Sequence, residues 1–227
     1  MTDEEQEAVF LATGVADEYK FSKLGFAPDV IYDIGADCGS VTMFAHSLFP
    51  QTKIVAVEPN PWSYPRLVAN FKDIPQVIPL RAAVGRGTMY EAPWADPLHW
   101  MAVSSTAPSL CNGCVESDIQ GMMLDELYAR YGGKRYVVKM DCEGAEYEVL
   151  MHEPSRKMVF ASAYFAAEFH FWGNTQDLID MVVRDLMRFL FDLAQTHTIY
   201  TYAYGACMNV WAKQRTNGNV EPFLPFQ

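Results

Sequence analysis

Within VVKMDCEGAEYEVL, residues 137–150, a base and two acids fall at alternate positions: Lys139, Asp141 and Glu143. Side chains two apart on a strand share a face. A buried strand here would carry all three on one side, and burying such charges unpaired is costly. Glu168 and His170 alternate in the same way in the apolar run YFAAEFHF. Crowded carboxylates raise one another's pKa, a lysine lowers them, and an imidazole titrates near neutrality. Groups of this kind orient a nucleophile and take its proton, as a reaction site requires. The expected roles place Asp141 closest to the reacting centre, His170 as the base near neutral pH, and Glu168 beside them. Lys139 is expected as the buried counter-ion that fixes the acids. Glu143 and Glu146 can instead serve the helix opening at Gly144, because acids are favourable in a first turn. For Glu146 that reading is preferred. Asp141, Glu168 and His170 are types that can ligate a divalent cation; nothing in the spacing requires one, so no metal is expected.

A second set lies upstream. DIGADCGS, residues 33–40, leaves an apolar run and enters a helical one. Gly35 and Gly39 allow a tight turn and close approach of the backbone to a ligand, and the helix beyond presents unpaired amides. Glu58 ends the next apolar run, nineteen positions after Gly39. An acid at that strand tip can accept both hydroxyls of a ribose. Asp33, Gly35, Ala36, Asp37, Gly39, Glu58, Pro59 and Asn60, joined by Asp141, form the expected binding set for an adenosine-containing cofactor. A pyrophosphate turn needs a third glycine for close helix packing, and residues 40–44 supply none. Asp33 would repel a pyrophosphate but could meet the ammonium of a methionine moiety. The spacing therefore favours S-adenosylmethionine (SAM). An NAD-dependent oxidoreductase and a non-catalytic SAM-binding protein are the alternatives.

The elements that must hold these groups alternate. Strand-like runs fall at 29–34, 53–58, 76–85, 135–141 and 159–171, with helical spacing at 40–49, 60–72, 123–133 and 176–194. Residues 197–214 read as two strands about Gly205, and residues 3–20 as an amphipathic helix. Such alternation implies a parallel sheet covered on both faces, a doubly wound α/β architecture. The segment 86–118, with Tyr90, Trp94, His99 and Trp100, keeps no period. It reads as a short hairpin plus either a substrate-facing lid or a surface excursion with an aromatic cluster.

The chain has 227 residues, half of them apolar, and a formal charge of −11. One domain over 1–227 is expected, with no general attraction to a phosphate backbone, so no nucleic-acid partner. The acidic N-terminus does not resemble a secretory signal, and no run is long enough to cross a bilayer; a soluble, cytoplasmic protein is expected. Five cysteines argue against a disulfide framework, and Cys111 and Cys114 of CNGC read as two free thiols about a turn. His46, His152 and His197 look ordinary. Trp172 suits stacking on a substrate and packing in a core equally well.

Three motifs in order, VIYDIGADCGSVTMFA, VAVEPNP and VVKMDCEGAEYEVL, resemble the FkbM family of class I SAM-dependent methyltransferases. The third carries the family's Lys-Ile-Asp-Val-Glu-Gly-Ala-Glu pattern as Lys139 to Glu146, and EFH at 168–170 resembles its fifth strand. The resemblance spans roughly residues 28–212. It implies a Rossmann-like, mostly parallel seven-stranded sheet whose last strand is antiparallel. It also implies methyl transfer, mostly to oxygen, onto a small-molecule or glycan acceptor. Cys38 and Cys142 depart from the commoner residues. RAAVG, residues 81–85, offers no acid for an adenine amine, leaving that contact to backbone or to Asn60.

Overall fold

The run VIYDI forms β1 (Val30–Ile34), buried along its whole length as a central parallel strand must be. A computed structural model describes residues 17–91, 113–171, 176–205 and 207–215. After β1 the order is α1 (Ser40–Leu48), β2 (Lys53–Val57), α2 (Ser63–Phe71), β3 (Val77–Leu80), β4 (Ala83–Val84), β5 (Thr88–Glu91) and β6 (Val115–Met122). Then come α3 (Leu124–Tyr131), β7 (Tyr136–Met140), α4 (Glu146–Met151), α5 (Glu153–Ala161), β8 (Tyr164–His170), α6 (Gln176–Leu193), β9 (His197–Tyr204) and β10 (Cys207–Gln214).

Seven strands form one sheet in the order β3-β2-β1-β7-β8-β10-β9. All neighbours run parallel except β10, which is antiparallel to both β8 and β9. The chain reverses direction between β1 and β7, so the carboxyl ends of β1, β2, β7 and β8 border one crevice, where open α/β sheets bind ligands. Each face of the sheet is dry. On one, Tyr32, Val138, Phe165 and Val210 pack with Leu127, Val149 and Leu186. On the other, Ile31, Val137, Ala166 and Trp211 pack with Ala45, Leu67, Tyr19, Phe21 and Leu24. Burying a side chain such as Leu67 stabilises by about 1.5–3 kcal/mol.

Local chemistry sets the element ends. Asn60 Oδ1 accepts from the amides of Trp62 and Ser63 at 2.9 and 3.3 Å and so opens α2. Glu126 reaches back to the Met123 amide at 2.7 Å to open α3, and Gly132 closes it.

Three expected boundaries are corrected. The third strand does not run to residue 85: it ends at Leu80, and Ala83–Val84 join β6 in a separate three-stranded sheet. The fifth strand begins at Tyr164, because Val159–Ala161 complete a helix started by Pro154 in its first turn. Residues 17–20 form a turn with Asp17 and Lys20 at positive φ, so the N-terminal helix does not extend to residue 20. The expected hairpin is present as β5 paired antiparallel with β6. The remainder of the supposed lid, including Trp94, His99, Trp100 and Cys111, lies outside the described residues, as do residues 1–16 and Trp172. Cys114 is disulfide-bonded, which corrects the expectation of a free thiol there.

Candidate functional site

Gly35 follows β1 with φ +73°, and a Cβ built on it would stand 1.6 Å from the Asp141 carbonyl oxygen. Only glycine lets the turn after β1 lie against the end of β7. The amides of Gly35 and Ala36 both donate to Val57 O at 3.0 Å, tying the same turn to β2. Gly39 (φ +97°) faces the Phe71 ring, where a Cβ would come within 2.3 Å, so α1 can seat on α2.

Glu58, at the tip of β2, accepts from the Asp37 amide through Oε2 and from the Asn60 amide through Oε1, each at 2.7 Å. It is buried, and that burial pushes its carboxyl up to about 8 against the two amides. Pro59 borders a cleft with Gly35, Val84, Met89, Cys142 and Glu143. Val84 and Met89 were not legible as site residues, since small and flexible apolar side chains carry no chemical signature. Asn60 is buried with its side-chain oxygen already spent on α2.

Asp33 and Lys139 sit opposite each other in the β1–β7 register. Lys139 Nζ lies 3.1 Å from Asp33 Oδ1, donates to Gly35 O at 2.6 Å, and neither side chain is more than 2% exposed. Thr42 Oγ1 donates to Asp33 Oδ2 at 2.5 Å. Burial alone would lower the lysine's pKa; the charges of Asp33 and Asp141 overcome it and hold it above its ordinary value. The pair locks the turn to the strands from beneath. Asp33 therefore faces Lys139 and not the cleft.

The alternation that placed Lys139, Asp141 and Glu143 on one face stops at Met140, where β7 ends. Glu143 adopts φ 54°, and the side chains of Asp141 and Glu143 are 31% and 35% exposed. Only the lysine is buried, which removes most of the expected cost. His170, buried at the end of β8, is what collects the acids. Its Nδ1 lies 3.2 Å from Glu146 Oε1, and its Nε2 lies 3.8, 3.6 and 3.9 Å from Asp141, Glu143 and Glu168. Burial would lower its pKa, but the Glu146 hydrogen bond and the surrounding carboxylates carry it to about 9. At neutral pH the imidazole is thus protonated, which corrects its expected state.

Glu146 has no exposed surface and accepts from the amides of Cys142 and Gly144 at 2.8 and 2.9 Å. It serves the start of α4 and at the same time orients His170; the first role was readable, the second was not. Burial and the neighbouring acids raise Glu143. Cys207, on β10, joins Glu168 and His170 in one group, and Asp141 and Glu146 join His170 in another; each trio offers ligand atoms within 4.8 Å of one another. Tyr19, which carried no signal in the sequence, donates from its hydroxyl to Asp141 Oδ2 at 2.8 Å. His152 and His197 are engaged away from the site, with Ser155 and with Ser162 O.

A glycine turn on β1, an acid at the tip of β2, and β10 inserted antiparallel beside β8 define the fold of the class I SAM-dependent methyltransferases. The model of the methyltransferase FkbM domain matches residues 33–193. The chain belongs to the FkbM methyltransferase family, and with that the nicotinamide alternative is set aside. No curated protein matches it in sequence. Among solved structures, a putative rRNA-methylase from Clostridium thermocellum shares the fold at TM-score 0.54 and 9% identity, covering 89% of this chain and 97% of that one. A precorrin-6y C5,15-methyltransferase from Geobacter metallireducens aligns at TM-score 0.46 and 18% identity over 95% and 90% of the two chains. Aeropyrum pernix fibrillarin with natively bound S-adenosyl-L-methionine aligns at TM-score 0.48 and 10% identity over 89% and 73%.

Proposed function

We propose that this FkbM-family chain transfers a methyl group from SAM to a hydroxyl oxygen of a small molecule or glycan. The observation that carries the reading is His170. A buried imidazole is oriented through Nδ1 by Glu146, with Nε2 among carboxylates from the ends of two adjacent strands, beside the cleft that Gly35 opens. The fit to the cofactor rests on that side-chain-free turn against Asp141 and on Glu58 at the strand tip. Glu58 would accept the ribose hydroxyls, the backbone of residues 35–37 would hold the methionine part, and Val84 and Met89 would flank the adenine. When bound, SAM supplies an electrophilic methyl group.

The rest falls to the chain's own side chains. Asp141 and Glu168 orient the acceptor hydroxyl, and His170 Nε2 receives its proton. For that the imidazole must first be neutral, and it gives up its own proton more readily when positive charge enters the cleft. Lys139 stays beneath as the partner of Asp33. The net charge of −11 supports an acceptor other than a phosphate backbone. Among the described residues no helix is long and apolar enough to cross a membrane.

The test is calorimetric titration with S-adenosylhomocysteine, with NAD in parallel, on the unaltered protein and on Glu58→Ala. Micromolar binding that weakens at least about tenfold in the variant is expected, since two hydrogen bonds to the ribose are lost. Radiolabelled methyl transfer to a panel of hydroxyl acceptors should then rise with pH and collapse in His170→Gln. Binding of NAD in place of the homocysteine adduct, or transfer to amines alone, would sink the proposal.

A further inference from the structure

We infer that Tyr19, supplied by a segment outside the matched methyltransferase domain, is a positioning residue of the methyl-transfer site, its hydroxyl holding the Asp141 carboxylate in its working orientation. The inference rests on the reading of that site as one for SAM.

The phenol is buried, and its oxygen donates to Asp141 Oδ2 at 2.8 Å. Asp141 Oδ1 is thereby left on the side of His170 Nε2, 3.8 Å away. Among the described residues no other side chain donates a hydrogen bond to this carboxylate. Lys139, the nearest cation by sequence, is committed to Asp33, Ile34 O and Gly35 O, and the Tyr19 ring lies 5.1 Å from its Nζ. A hydrogen bond to a charged acceptor is stronger and more directional than a neutral one, so the tyrosine sets the carboxylate's rotamer.

The hydroxyl is itself held from outside the site. Tyr164 donates to Tyr19 O at 2.9 Å and Trp211 Nε1 to Glu18 O at 3.0 Å. Phe21 and Leu24 are buried two and five residues further on. Asp17 accepts from the Phe21 amide at 2.7 Å and closes the turn. Strands β8 and β10 thus clamp the segment before Tyr19 reaches the end of β7. A tyrosine serving only as a core plug would have no need of a partly exposed carboxylate as its partner.

The test compares two ligands on Tyr19→Phe, which keeps the ring and removes the hydroxyl. One is S-adenosylhomocysteine. The other is the SAM analogue in which a primary amine replaces the methyl-bearing sulfonium, so that an ammonium faces Asp141. The variant should bind the homocysteine adduct within about twofold of the unaltered protein and the amine analogue about tenfold more weakly. Tyr164→Phe, which loosens the clamp and leaves the hydroxyl in place, should shift the same ratio in the same direction by about threefold. Equal loss for both ligands, or an unchanged ratio in both variants, would overturn the inference and leave the cofactor assignment standing. Failure of the unaltered protein to bind either ligand would remove the cofactor assignment and this inference together.

Discussion

Glu58 and Glu168 are both glutamates at the carboxyl ends of parallel strands, yet they live under different rules. Glu58 is enclosed and receives two backbone amides from the turn it faces. Glu168 stands beside His170 at 3.9 Å with Asp141, Glu143 and Cys207 close by. At the tip of β2, charge is held by main-chain groups whose positions follow from the fold. Around His170, it is held by other side chains, whose positions depend on rotamers and protonation. Backbone-held charge should be sensitive to anything that moves the chain, whereas side-chain-held charge should respond first to changes in the side chains around it.

The sharpest way to break this division is to strike the pair beneath the turn. Lys139→Met leaves Asp33 buried without its partner and should cost about 3–5 kcal/mol in chemical denaturation. The double variant Lys139→Met with Asp33→Leu should recover more than half of that loss, and no recovery would refute the pairing argument. Gly35→Ala comes next. Its Cβ must displace the Asp141 carbonyl and sit at φ +73°. A loss of about 2–3 kcal/mol is expected, with homocysteine-adduct binding weakened beyond tenfold; a variant that binds normally would show that the turn is soft.

The group around His170 is probed by pH. His170 has a folded-state pKa of about 9 against an ordinary 6.5. Its stabilising contribution is complete below about pH 6.5 and is lost as pH rises through 9. The raised carboxyls of Glu58 and Glu143 act in the same sense, since each holds its proton longer when folded. Stability should fall between pH 6.5 and 9, with His170 responsible for on the order of 2 kcal/mol. In His170→Gln the slope should shrink without vanishing, and an unchanged slope would contradict the geometry. The smallest effect belongs to Cys207. Burial and the hydrogen bond to Glu168 push its thiol up to about 12, so alkylation at pH 8 should be slow. Cys207→Ser should change stability by less than about 0.5 kcal/mol.

Much of the framework was readable because it follows from local pattern. The glycine turn, the acid at the second strand tip and the alternation of Glu168 with His170 are short-range features, and each ended where its spacing put it. Boundaries failed where the end of a proline-started helix looked like strand, at residues 159–161, and where one apolar run served two sheets, at 77–84. Register was the larger gap. That Asp33 would meet Lys139 and not a ligand depends on β1 and β7 being neighbours although a hundred residues apart.

By itself, then, the sequence determined which chemical groups exist and which strand tips carry them, because periodicity and turn chemistry are set within a few residues. The tertiary structure alone decided which groups meet: Lys139 with Asp33, Glu146 with His170, Tyr19 with Asp141. Those pairings arise from strand order, from the end of alternation at Met140 and from an N-terminal segment clamped by β8 and β10. The physical reason is that a hydrogen bond is decided over about 3 Å of space, whereas a sequence records only distance along the chain.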